Sequence, residues 1–280
     1  MNLLSPIQFA LISAFIQGHS YAKELSSPKT IKVFILAGQS NMEGHGLIKG
    51  RPDQKGTLDQ LTKDPATAKK YQRLKDHEGN WKVRDDVWIS WYDKRGKLTI
   101  GGYAGRGSIG PELGFGWAVG DHCNDPILLL KFGPGGTSLA GPWRPPSSGK
   151  NGDKQRGPGI GNQYDDLISS TKHQLENLDS DFPQFTGLKF ELAGFGWHQG
   201  WNDGCSMKDT KEYESNLANF IRDVRKDLSS PNLPFVIAGS GFGGWEQKID
   251  RRLMIMSAQK SVAESNEFKK NARYVETRGF

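Results

Sequence analysis

Ser40 stands in the heptad Gly38-Gln39-Ser40-Asn41-Met42-Glu43-Gly44, directly after the apolar run Ile31-Lys32-Val33-Phe34-Ile35-Leu36-Ala37. A β-branched run that breaks at a glycine and presents a serine on the next turn is how an α/β hydrolase exposes a nucleophile. The Gln-Ser-Asn group also carries side-chain donors to the carboxyl end of that strand, where open α/β sheets bind ligands. The Ser-Asn-x-Glu spacing fits an ordinary helix N-cap as well, so the heptad alone leaves both readings open.

Three later segments could join it. Phe132-Gly133-Pro134-Gly135-Gly136-Thr137-Ser138 follows the apolar run from Ile127 to Lys131. Amides of consecutive glycines can donate to an oxyanion, although glycines also simply make turns. Gly196-Trp197-His198-Gln199-Gly200-Trp201-Asn202-Asp203 joins a buried-looking strand to a polar loop. Indoles beside Gln, Asn and Asp are the composition of a carbohydrate subsite, with apolar sugar faces on Trp and hydroxyls on amides. Trp197 and Trp201 fit a core equally well. Gly110-Pro111-Glu112-Leu113-Gly114-Phe115-Gly116 opens a small-residue helix that either faces the site or packs closely on the sheet.

The elements that must position these segments alternate. Strands are expected over Lys32–Ala37, Val87–Tyr92, Ile127–Phe132, Leu188–Trp197, Phe235–Ala238 and Arg273–Thr277. Several are short continuous apolar runs, as strands buried on both faces should be. Helical stripes lie between them: Tyr213, Leu217, Phe220, Ile221, Val224 and Leu228; Leu167, Ile168, Thr171, Leu175 and Leu178; Leu253, Met256, Lys260 and Ala263. Strand-helix alternation predicts a single α/β domain with a mainly parallel sheet and helices on both faces. Lys49–Asp86 and the Gly- and Pro-rich Gly133–Gly161 look inserted, the second reading as a wall of the site or a surface excursion.

With these motifs in this order, the chain resembles the SGNH/GDSL hydrolases, closest to the branch of sialate O-acetylesterases and carbohydrate esterase family 6. The likeness rests on Gly38-Gln39-Ser40-Asn41-Met42, Gly135-Gly136-Thr137 and Trp197-His198-Gln199-Gly200, and covers roughly Ile31 to Phe280. It implies a three-layer α/β/α sandwich of flavodoxin-like type and a serine carbohydrate O-acetylesterase needing neither metal nor organic cofactor. Ser40 matches the nucleophile, Gly136 an oxyanion-hole amide and Gln199 the side-chain amide that completes the hole. Substrate contacts are expected from Gln39, Asn41, Gly135, Thr137, His198, Trp201 and Asp203.

Two features depart from the branch. Trp201-Asn202-Asp203 stands where it often reads Glu-Ser-Asp or similar. The family's base is the His of an Asp-x-x-His near the C-terminus, yet Ile16, Met42, Leu74, Val119, Ser170 and Phe195 precede the six histidines by three residues. The last residues, Tyr274 to Phe280, read as a strand and its exit turn. The expectation is a C-terminally truncated hydrolase whose base and Asp are not in this sequence. His198, next to Gln199 on a strand, should point to the opposite face, and His45 should lie on a polar loop at the site edge. The rival is a carbohydrate-binding pseudoenzyme that keeps the pocket without the base; a plain interaction domain has no positive feature.

Bulk properties narrow the partners. The net charge of +6 comes from 37 basic and 31 acidic residues interspersed along the chain, which is no nucleic-acid footprint. Residues 1–22 lack Lys, Arg, Asp and Glu, and their apolar stretch Ile7–Ile16 is too short to span a bilayer. That stretch and Ser20-Tyr21-Ala22 read as a signal peptide, leaving a mature domain 23–280 that is secreted or periplasmic; a buried first helix is the competing reading. Cys123 and Cys205 could form one disulfide or remain thiols.

Overall fold

A computed structural model describes residues 30–51 and 54–279; the stretch read as a signal peptide lies outside the described residues. Seven strands, β1 (Thr30–Gly38), β2 (Val87–Trp91), β3 (Lys94–Lys97), β4 (Ile127–Phe132), β5 (Lys189–His198), β6 (Phe235–Ala238) and β7 (Ala272–Val275), form one sheet. Their order is β3-β2-β4-β1-β5-β6-β7, parallel throughout except for the β2–β3 hairpin. The six expected strands are present with bounds within two residues. β3 escapes sequence reading because Lys-Arg-Gly-Lys has no apolar residue; as an edge strand it needs none, and its charges discourage pairing with another chain.

Helices α1 (Pro111–His122), α2 (Asn162–Glu176), α3 (Met207–Asp227) and α4 (Asp250–Glu264) complete the layers. Tyr164 and Leu167 of α2, Tyr213, Leu217 and Phe220 of α3, and Ile255 and Val262 of α4 pack on one face. Leu113 and Trp117 of α1, with Leu58 and Leu74 of the 49–86 insertion, cover the other. This is the expected three-layer α/β/α sandwich. The α3 stripe is buried as its spacing predicts, but α4 is rotated. Leu253 and Lys260 face solvent, and Ile255, Met256, Gln259, Val262 and Ala263 face inward.

The long 133–161 segment is a packed loop. Leu139, Ala140 and Trp143 are buried in it. The buried Arg144 guanidinium gathers the carbonyls of Ala140, Ser148, Gly149 and Lys150. Cys123 and Cys205 are free thiols. Among the described residues no helix is long and apolar enough to cross a membrane.

After β1 the chain turns toward β2 on one side of the sheet, and after β5 toward β6 on the other. The crevice between the carboxyl ends of β1 and β5 is therefore the switch point at which such sheets bind ligands.

Candidate active site

Ser40 lies at that crevice. β1 breaks at Gly38, where the two strands approach so closely that a Cβ would stand 2.1 Å from the His198 carbonyl oxygen. Gln39 N–H donates to the same carbonyl at 3.1 Å, and a single helical turn, Ser40–Glu43, follows. Ser40 opens that turn partly exposed. Neither its Oγ nor its N–H has a hydrogen-bond partner among the described residues. A hydroxyl and an amide left free side by side at a helix start can serve as nucleophile and oxyanion donor.

The loop after β4 packs on this turn through glycines. A Cβ on Gly133 would stand 2.7 Å from Glu43 N, and one on Gly135 would stand 4.0 Å from Ser40 Cβ. Gly136 is exposed, adopts φ 73°, and its carbonyl accepts from Asn202 Nδ2 at 2.6 Å.

The turn after β5 supplies the third wall, and its polar groups are largely turned inward. Gln199 is 1% exposed; its Nε2 donates to Gln39 Oε1 at 3.1 Å, Thr137 O at 3.0 Å and Asp203 Oδ2 at 2.6 Å. Facing an oxyanion would require exchanging one of these bonds. Gln199 Oε1 is buried with no partner, but three acceptors around Nε2 fix the amide's orientation.

Several expected substrate contacts lie below the surface. Gln39 is 1% exposed, and its Oε1 accepts from Gln199 Nε2, Gly200 N and Asn202 N. Thr137 is 8% exposed, its hydroxyl donating to Pro134 O and accepting from the Trp143 indole. Asp203 is fully buried. These three hold protein groups, because a loop carrying free amides must be anchored from beneath. Asn41, Gly135, His198 and Trp201 keep exposed surface. Trp201 stacks edge-on against Phe242, with the Arg252 guanidinium 3.6 Å above its ring.

Electrostatics separate the titratable groups. Burial pushes the His198 imidazole down to about 4, so it is neutral at physiological pH, 3.5 Å from Asn41 Nδ2. Burial pushes the Asp203 carboxyl up to about 6. His45 is exposed beside Glu43, Nε2 to Oε2 3.6 Å.

Two further side chains form the site, and of these Lys131 lay outside the sequence reading. Lys131, with a fully buried side chain, donates to Glu43 O at 2.9 Å and Glu112 Oε2 at 2.6 Å, and so ties the Ser40 turn to the start of α1. Burial lowers its ammonium and raises the Glu112 carboxyl. A lysine between Leu130 and Phe132 in an otherwise apolar strand was the available signal. Asn202, in the segment whose composition reads as a carbohydrate subsite, pins Gly136 through its carbonyl.

The model of the family described as carbohydrate esterase, sialic acid-specific acetylesterase matches residues 30–280. The probable carbohydrate esterase At4g34215 of Arabidopsis thaliana is 24% identical over 233 residues, 81% of this chain and 76% of the relative. The X-ray structure of the Arabidopsis thaliana protein AT4G34215 shares the fold with a TM-score of 0.54 at 21% identity, covering 89% of this chain and 86% of that one. NanS gives 0.55 at 17%, over 90% and 78%. XAC1771, a carbohydrate acetylesterase from Xanthomonas citri, gives 0.51 at 16%, over 88% and 50%. Since the family match begins where β1 begins and takes in every strand and all three loops at the carboxyl end of the sheet, the chain belongs to the sialic acid-specific acetylesterase family of carbohydrate esterases.

Proposed function

We propose that this chain hydrolyses acetyl esters on carbohydrates through an acetyl-enzyme formed on Ser40. The observation that carries the reading is the free Ser40 hydroxyl and amide at the switch point of the sheet, with the Gly135-Gly136 loop packed against the same turn. Ser40 Oγ attacks the acetyl carbonyl, and the Ser40 and Gly136 amides receive the oxyanion. Gln199 Nε2 joins them if substrate draws it from one of its three acceptors. Collapse of the tetrahedral intermediate expels the sugar hydroxyl, which takes up the proton removed from Ser40, and water then releases acetate. The step needs a general base within reach of Ser40 Oγ, as serine nucleophiles do. The substrate is an acetylated sugar met outside the cytoplasm, with Trp201 and Phe242 offering apolar surface to its ring.

The test is acetate release from acetylated saccharides and from p-nitrophenyl acetate. Ser40→Ala should lower kcat by at least ~10³-fold, as loss of a serine nucleophile does. Undiminished turnover in that variant would overturn the assignment. One observation favours a second reading, saccharide binding without hydrolysis: Ser40 Oγ makes no hydrogen bond to a histidine among the described residues. That reading expects no acetate release and saccharide binding weakened by Trp201→Ala.

A further inference from the structure

The tip of the double-glycine loop has little packing of its own. A Cβ at Gly136 would meet nothing within 4 Å, and the residue is exposed. Its position is therefore set by the bond of its carbonyl to Asn202 Nδ2 and by anchors on either side. Gly133 abuts the Ser40 turn, and on the far side the anchor is a carboxylate. Asp203 Oδ1 accepts Ala140 N–H at 2.8 Å, and Oδ2 accepts Leu139 N–H at 2.9 Å and Gln199 Nε2 at 2.6 Å. Its own carbonyl is held by the Thr210 hydroxyl at 3.0 Å.

We propose that Asp203 is a positioning residue whose buried carboxylate holds the 135–140 loop and the Gln199 amide in register with Ser40. The proposal rests on the Ser40 esterase reading. A buried carboxylate without a cation is an expensive way to brace a loop, and among the described residues Asp203 forms no ion pair. Its merit is acceptor capacity. Two adjacent backbone amides and a side-chain amide converge on it, and only an anionic carboxylate takes three donors without presenting a donor of its own. Through Gln199 and Gln39 the same network reaches the residue before Ser40, so one side chain ties together the loops after β1, β4 and β5.

The geometry also makes the anchor sensitive to protonation. The titratable groups facing Asp203 are Asp209 in the first turn of α3 and the buried Tyr213 phenol, with Arg251 donating to Gly204 O in the same turn. Burial and Asp209 favour the neutral acid, and the three donors favour the anion.

The experiment uses the full chain and its Asp203→Asn variant. An asparagine matches the shape but turns an N–H toward one of the donors. With the fold retained, kcat for acetate release should fall on the order of 10²-fold while KM stays within about 3-fold, as for a reacting group displaced by an ångström. Unchanged kcat in a folded variant overturns the proposal, and so does a loss confined to KM. A second readout needs neither turnover nor the variant. In the parent protein the Leu139 and Ala140 amide proton resonances should shift together with one midpoint near pH 6, where burial places the carboxyl. Amides that stay put across that range overturn the loop-holding role. Were the parent to release no acetate, the Ser40 reading would fall alone, and the amide titration would still decide whether Asp203 anchors the loop.

Discussion

At His198, the last residue of β5, and Asp203, in the turn that follows, burial acts on opposite charges. The imidazole is pushed from 6.5 down to about 4, and the carboxyl from 3.8 up to about 6. On acidification from pH 7 the unfolded chain protonates His198 before the native protein does, so this group's contribution to stability is lost between 6.5 and 4. Asp203 does the reverse: the native protein takes up the proton first, so stability is gained as pH falls through 6 toward 3.8. The two contributions oppose each other across the same window. Normalised at pH 7, His198→Gln should be more stable than the parent at pH 4.5, and Asp203→Asn less stable, each by roughly 2 kcal/mol on a scale of about 1.4 kcal/mol per pH unit. Urea unfolding of the three proteins at both pH values checks this. Parallel shifts in the two variants would show that burial does not govern these groups.

At the scale of elements, α1 shows how a glycine-rich sequence conceals two kinds of position. Gly114 is exposed, and a Cβ there meets nothing within 4 Å. At Gly116 a Cβ would stand 2.3 Å from Leu98 Cδ2 and 3.1 Å from Leu129 Cδ1, which lets the helix sit close over β4. Gly114→Ala should therefore raise stability by about 0.5–1 kcal/mol through helix propensity alone. Gly116→Ala should lower it by about 1–3 kcal/mol through overpacking. Thermal unfolding of both distinguishes them, and equal effects would contradict the packing described. The same contrast marks what the sequence could show. β4 and β6 were legible to the residue because each is a short run that is apolar but for the buried Lys131 of β4. The inward face of α4 was not, since Gln259 is buried to bond Ser240 and the Gln199 carbonyl and carries no hydrophobic signal. The motifs located Ser40, the double glycine and Gln199 at one crevice. Which of their neighbours face substrate and which face protein depends on hydrogen bonds between residues some 60 to 160 positions apart, such as Asp203 with Ala140 and Gln39 with Gln199, and no spacing rule contains those.

Over the whole molecule, the position of β1 decides how the two cores relate. Ile31, Val33 and Ile35 point into the core under α2, α3 and α4, while Leu36 points into the core under α1 and the insertion. β4 is divided likewise, Leu128 and Leu130 on one side and Ile127 and Leu129 on the other. Neither core can open without stripping side chains from strands that the other needs. The Ser40 turn is bound into both as well, through Met42 in the α1 core and Gln39 in the network above the α3 side. The charged 49–86 insertion contributes Leu58 and Leu74 to the α1 core and should not melt separately. One cooperative unit is the consequence, because partial unfolding would leave central strands covered on a single face. Hydrogen exchange measured along a urea series should therefore show the amides of Pro111–His122 and of Met207–Asp227 losing protection at one shared midpoint. An earlier midpoint for the first helix would mean that the α1 layer detaches by itself, and that the Lys131–Glu112 tie beneath Ser40 can open while the rest of the sheet is intact.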